Sequence, residues 1–383
     1  MKDPFEIHAW KVRLALTSPY RLSFGPVSSF ETIFVQIDSG QGHVGLGEAT
    51  FLTGYTDEVF DESWSFLKHW LGCPMRLQDF KAGLSKNAVR RPFLASALRC
   101  ALDMASKLPI LSPGHALRVP ILGLLQGETD AELQSSLQSL VSQGYRTIKL
   151  KVGFEPVKDS QFINRVVTLY RAMPKSSGND AKDSPFSTNQ DSVRFRIDAN
   201  QGFSSEGAIT FLHNLHPDCQ PLIELFEQPC EAKDWDAHAR VVPYAKGLGI
   251  KLMLDESIYG EADIQRAADG DLADFIKVKL MKFEGLEALV RAIDLIKHCG
   301  MTPVLGNGVA SDLNCWMEGC VADLHIQNAG EMNGYLKQRR SPLVYPLEFA
   351  DGHLCAPAGW RPALNRAILD ALQEDQIHAS IDR

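Results

Sequence analysis

Thr147-Ile148-Lys149-Leu150-Lys151-Val152 decides how this chain is read: an apolar strand ends in two lysines one residue apart. A second strand of the same kind lies far downstream, Phe275-Ile276-Lys277-Val278-Lys279-Leu280. Between them, three acids each follow an apolar run. They are Asp198 in Phe195-Arg196-Ile197-Asp198-Ala199-Asn200, Glu227 in Leu225-Phe226-Glu227-Gln228-Pro229, and Asp255 in Leu252-Met253-Leu254-Asp255-Glu256-Ser257. Lysines flanking a set of carboxylates point to metal-assisted acid/base chemistry.

Spacing turns these strands into an architecture. Asp198 to Glu227 is 29 residues, Glu227 to Asp255 is 28, Asp255 to Lys279 is 24, Lys279 to Gly306 is 27 and Gly306 to Glu331 is 25. That period fits one strand, one helix and two loops, the repeat of parallel βαβ proteins. Helical spacing lies between the strands at Leu133, Leu137, Leu140 and Val141, ended by Gly144, and at Leu286, Leu289, Ile293 and Ile296, ended by Gly300. Strands near 120, 148, 196, 225, 252, 277, 304 and 328 predict a (β/α)8-type barrel over 119–345, whose functional groups sit at the carboxyl ends of the strands. In a ring of eight, strands two and six lie on opposite walls, so Lys149 and Lys151 are expected to face Lys277 or Lys279 across three carboxylates.

Residues 1–118 have a different texture. Thr32-Ile33-Phe34-Val35-Gln36-Ile37, a glycine-rich turn and Val44-Gly45-Leu46-Gly47-Glu48 read as antiparallel strands, with helical stretches near 57–70 and 94–106. An α+β capping domain is expected there. The tail, 346–383, returns to strand-like text with a hairpin signal at Asp351-Gly352, and is expected to pack back on the capping domain. Pro174 to Ser192, polar and poor in apolar residues, reads as a surface insertion.

The chain has 383 residues, enough for two domains, and a net charge of -8 with a pI near 5.8, which gives no field for nucleic acid or anionic membrane. No apolar run reaches the roughly 20 residues of a membrane span, and the start lacks a signal-peptide core. Eight cysteines without framework or zinc spacing are expected as reduced thiols. The expectation is a cytoplasmic homo-oligomer acting on a small molecule.

Five motifs in order carry a family resemblance: Lys149-x-Lys151, Asp198-x-Asn200, Glu227-Gln228-Pro229, Asp255-Glu256-Ser257, and Lys279 within Val278-Lys279-Leu280-Met281-Lys282. The chain resembles the enolase superfamily and, within it, the muconate lactonizing enzyme subgroup, over nearly its whole length. Pro19-Tyr20-Arg21-Leu22-Ser23-Phe24-Gly25 and Gly47-Glu48-Ala49-Thr50 look like the capping segments of that family.

The resemblance implies that the α-proton of a carboxylate substrate is removed and the enediolate is held on Mg2+, for which Mn2+ can substitute. It makes Asp198, Glu227 and Asp255 the metal ligands, Lys151 and Lys279 the acid/base pair, and Lys149 a tuning or carboxylate-binding group. Hard Mg2+ suits oxygen ligands, and a carbon acid beside a carboxylate needs a cation to absorb its developing charge. A lysine base must be neutral, so Lys151 is expected to have a depressed pKa. Asn200, Glu256, Asn307, Glu331 and Tyr20 stand as candidate contacts to substrate or to the ligand side chains, with Asn307 and Glu331 equally readable as turn and helix-cap residues.

A Lys-x-Lys strand is ordinarily a solvated face, but strands of a parallel barrel have none. Two opposed lysines favour racemisation or epimerisation; syn-dehydration of the o-succinylbenzoate synthase kind and cycloisomerisation of the muconate kind are the alternatives, and a noncatalytic barrel is the lesser one. Dipeptide epimerases of the family carry Asp-x-Asp at the eighth strand, where this chain reads Glu331-Met332-Asn333.

Overall fold

The computed structural model describes residues 4–22, 25–40, 42–52, 56–174 and 193–382. The expected insertion from Pro174 to Ser192 lies, apart from Pro174, outside the described residues, as do Ser23 and Phe24.

The chain opens with an antiparallel unit of β1 (Phe5–Leu22), β2 (Gly25–Asp38) and β3 (Val44–Phe51), followed by α1 (Phe60–Leu71), α2 (Leu77–Ala88) and α3 (Pro92–Ala105). After β4 (Leu117–Pro120) the alternation begins: β5 (Gly123–Leu124), α4 (Asp130–Ser142), β6 (Thr147–Lys151), α5 (Pro156–Ala172), β7 (Arg194–Asp198), α6 (Ser205–His213), β8 (Ile223–Glu227) and α7 (Trp235–Gly247). It continues through β9 (Lys251–Leu254), α8 (Glu261–Asp269), β10 (Phe275–Val278), α9 (Leu286–His298), β11 (Thr302–Leu305) and α10 (Asp312–His325). The tail holds β12 (Glu348–Ala350), β13 (His353–Ala356), α11 (Arg366–Leu372) and β14 (Gln373–Ile381).

Seven parallel strands run in the order β11-β10-β9-β8-β7-β6-β5. The eighth expected strand forms no ladder. Instead Gly330 bridges to Ile121, its N–H donates to Pro120 O at 3.0 Å, and Glu331 N–H donates to Leu305 O at 2.9 Å. This short segment joins β11 to the start of β5 and closes the ring. Arg196, buried on β7, reaches across to Ala329 O at 2.7 Å and holds the segment from inside.

Strand alternation explains why charges converge. On β6, Ile148 and Leu150 are buried in the layer under the helices, so Lys149 and Lys151 must point inward. On β10, Ile276 and Val278 do the same for Lys277 and Lys279. Each of these strands is buried on both faces. β7, β8 and β9 separate β6 from β10 on one side of the ring, leaving the two on facing walls.

The tail divides its contacts. The β12–β13 hairpin turns at Asp351 and Gly352 and pairs with β4, while β14 joins the antiparallel sheet at β1, giving the order β14-β1-β2-β3. The antiparallel sheet is clamped to the barrel by Glu48 on β3, which is buried. Its carboxylate accepts Ser311 N–H at 2.7 Å, Ser311 Oγ at 2.5 Å and Asn314 N–H at 3.2 Å, the start of α10. Burial raises its pKa against these donors. Glu48 thus fixes the loop after β11.

Candidate active site

A cavity of about 460 Å3 opens at the carboxyl ends of the barrel strands, bounded by Tyr20 and Thr56 of the antiparallel unit. Lys149, Lys151, Asp198, Asn200, Asp255, Glu256, Lys279, Asn307 and Glu331 line it. Glu227 lies behind this lining, within 3.2 Å of Lys149. The structure therefore brings every sequence-expected residue to one place.

Ammonium groups stand between the carboxylates. Lys149 Nζ bridges Asp198 Oδ2 at 2.7 Å and Glu227 Oε2 at 3.0 Å, and Lys277 Nζ bridges Glu227 Oε1 at 3.0 Å and Asp255 Oδ2 at 3.3 Å. Both lysines also contact Glu331, Lys149 at 2.9 Å and Lys277 more closely. Lys151 donates to Asp198 Oδ2 at 2.7 Å and to Asn200 Oδ1; Lys279 donates to Asp255 at 2.8 Å.

Electrostatics separates the acids. Burial alone would raise Asp198, but Lys149, Lys151 and Lys277 outweigh it and hold the pKa at about 2. Asp255 is likewise held well below the usual range by Lys279, Lys277 and Lys282 against burial. Glu227 goes the other way, pushed up to about 7 by burial and by the neighbouring Asp198 charge, which Lys149 and Lys277 only partly offset. The depression expected for Lys151 rests on the Lys149 charge together with a cation; against burial and the Lys149 charge, pairing with the Asp198 carboxylate at 2.7 Å instead raises the lysine.

The donor set suits a hard divalent cation. Three carboxylates end adjacent strands β7, β8 and β9, and Glu227 Oε2, 3.0 Å from Lys149 Nζ, is buried without a hydrogen bond. Lys149 and Lys277 place two positive charges between these acids. Among the described residues no three acidic, histidine or cysteine side chains already close on one point.

Several residues shape the site without having been singled out in the sequence. Gln228, fully buried, accepts Asp255 N–H at 2.9 Å and Ser257 N–H at 3.2 Å on its side-chain oxygen, and its nitrogen meets Ser257 Oγ at 2.8 Å. It fixes the turn that carries Asp255. Lys282 donates to Asp255 O at 2.7 Å and Ile258 O at 2.9 Å, and burial lowers its pKa to about 8. In the sequence Gln228 stood within the Glu227-Gln228-Pro229 motif, without a role of its own.

The candidate contacts differ in what occupies them. Asn200 N–H donates to Asp198 Oδ1 at 2.8 Å, and its amide donates to Glu256 Oε1 at 3.1 Å. Asn307 Oδ1 accepts Val309 N–H at 3.2 Å, a turn function. Glu331 caps no helix; it is buried among lysines. Tyr20 packs edge-on against Phe30, with Lys337 5.0 Å over its ring.

A barrel that gathers acids and lysines at its strand ends, under an α+β cap, defines an acid/base enzyme. The chain matches the enolase C-terminal domain-like family model over residues 132–362. It belongs to that family and is an enolase-superfamily enzyme of the mandelate racemase/muconate lactonizing subgroup. It is 24% identical over 322 residues to the N-succinyl-L-Arg/Lys racemase of Bacillus cereus, covering 80% of each chain. It is 28% identical over 325 residues to the L-Ala-D/L-Glu epimerase of Clostridium acetobutylicum, again covering 80% of each. The crystal structure of muconate lactonizing enzyme from Pseudomonas fluorescens superposes with a TM-score of 0.78 at 20% identity, covering 98% of this chain and 100% of that one. Among the described residues no helix is long and apolar enough to cross a membrane.

Proposed function

We propose that the enzyme racemises or epimerises a carboxylate substrate at its α-carbon, with Lys151 and Lys279 as bases on opposite faces. One observation carries this reading: the two lysines stand on facing walls, each held by a different carboxylate of the same cavity, Asp198 at 2.7 Å and Asp255 at 2.8 Å. Asp198, Glu227 and Asp255 would hold Mg2+, which supplies Lewis-acid charge to the substrate carboxylate and so acidifies the α-proton.

The chain's own groups do the rest. One lysine, neutral, takes the proton from one face; the other, as ammonium, returns a proton to the opposite face. Asn200 orients the Lys151 amine, to which its Oδ1 is hydrogen-bonded. Lys149 and Lys277 offset the charge crowded around Glu227. The relatives named as a racemase and an epimerase support this outcome over dehydration or ring closure. Proton NMR in deuterated water tests it: α-deuteration with inversion supports the reading, whereas elimination or lactonisation without inversion replaces it.

A further inference from the structure

We propose that Lys282 is a positioning residue for the base Lys279: its ammonium locks the turn that follows Lys279 to the turn that begins at Asp255, and so aims one of the two bases and not the other. The inference rests on the two-lysine reading above and adds to it the group that sets the reach of one lysine.

Lys279 directly follows β10 and leads into the single turn Leu280–Lys282. Lys282 N–H closes that turn on Lys279 O at 2.9 Å. The turn is held from behind, where Glu318 accepts Leu280 N–H at 2.8 Å and Ser96 Oγ donates to Leu280 O at 2.8 Å. After the neighbouring strand β9, Asp255 begins a second turn, closed by Ile258 N–H on Asp255 O at 3.1 Å.

The Lys282 ammonium joins the two turns. It is buried, and it donates to Asp255 O at 2.7 Å, to Ile258 O at 2.9 Å and to Asp255 Oδ1 at 3.3 Å. An ammonium has three N–H groups, and these acceptors take all three. The Tyr259 ring covers it further, 4.5 Å away. No donor is left for a substrate, so Lys282 acts through Lys279 and not on the reacting carbon.

The consequence is asymmetric. Lys279 and Lys282 grip the same carboxylate, Lys279 at 2.8 Å, so a shift of one turn against the other moves the Lys279 amine. Lys151 takes its position from Asp198 and Asn200 instead. A base displaced by about 1 Å loses on the order of a hundredfold in rate, and here the loss falls on the face that Lys279 serves.

The test measures α-deuteration of each stereoisomer separately by the Mg2+-loaded Lys282→Met enzyme, on a panel of N-acetyl amino acids and L-Ala dipeptides. The ratio of the two exchange rates is expected to shift about 10- to 100-fold against the stereoisomer that Lys279→Ala fails to exchange. Lys282→Arg keeps the charge, but a planar guanidinium cannot aim three N–H groups at these acceptors; the same one-sided shift is expected, and this variant decides the matter if the methionine variant does not fold. An unchanged ratio overturns the proposal: equal loss on both faces, with weaker Mn2+ binding by calorimetry, would assign Lys282 to the cation ligand Asp255 instead. No exchange of any panel member by the unaltered enzyme sinks the two-lysine reading and this proposal with it.

Discussion

The side-chain oxygen of Gln228 accepts the backbone N–H of Asp255 at 2.9 Å, tying the end of β8 to the turn after β9. Two proposed cation ligands, Glu227 and Asp255, are thereby held in register by the residue that follows the first. Gln228→Ala is expected to weaken Mn2+ binding and activity about 10- to 100-fold while the fold is kept. Calorimetric titration with Mn2+ checks it, and unchanged affinity would show that the turn holds itself.

Removal of the cation is expected to abolish α-exchange, with recovery on adding Mg2+ or Mn2+. Binding should also stabilise the fold, because Glu227 is crowded by Asp198 and Glu331. At a cation concentration of 100 Kd the gain is about 2.7 kcal/mol. An unchanged Tm with Mg2+, together with full turnover after exhaustive chelation, would contradict the cation site.

Lys279→Ala is expected to remain folded, since Asp255 keeps Lys277 and Lys282, each at 3.3 Å. Its kcat should fall about a thousandfold, within the range for losing a general base. A near-normal rate with the true substrate would remove Lys279 from the chemistry.

Glu318 is buried behind Lys279, accepts Leu280 N–H at 2.8 Å, and is pushed up to about 8 by burial. A carboxyl whose folded pKa lies above its unfolded value contributes stability that is complete below about 4.5 and is lost as pH rises through about 8. The slope from this one group is at most about 1.4 kcal/mol per pH unit. Glu318→Gln should flatten Tm against pH between these limits; an unaltered profile would mean the group is ionised throughout.

The barrel and most of the site were legible because a charge in a strand buried on both faces has no solvent to justify it. Lys149, Asp198 and Lys279 stand out on that ground alone. What was not legible depends on partners far apart in the chain. Lys277 and Glu331 are 54 residues apart, and Glu48 and Ser311 are 263 apart, and nothing local to either pair announces the contact. The eighth strand was expected from periodicity, yet the ring closes there through two backbone bonds of Gly330 and one of Glu331. Gly306 permits this: a Cβ on it would lie 2.7 Å from the Glu331 backbone, and its φ is +136°. The pairing of Lys151 with Asp198, 47 residues away, was likewise not announced by anything local to either residue.

The central claim is that Lys151 and Lys279 work on opposite faces of one carbon. Its most direct test is α-deuteration of each stereoisomer, separately, by Lys151→Ala and Lys279→Ala in deuterated water. The account predicts reciprocal one-sided loss, each variant still exchanging the stereoisomer that faces its remaining lysine. Equal loss for both stereoisomers in both variants would contradict it.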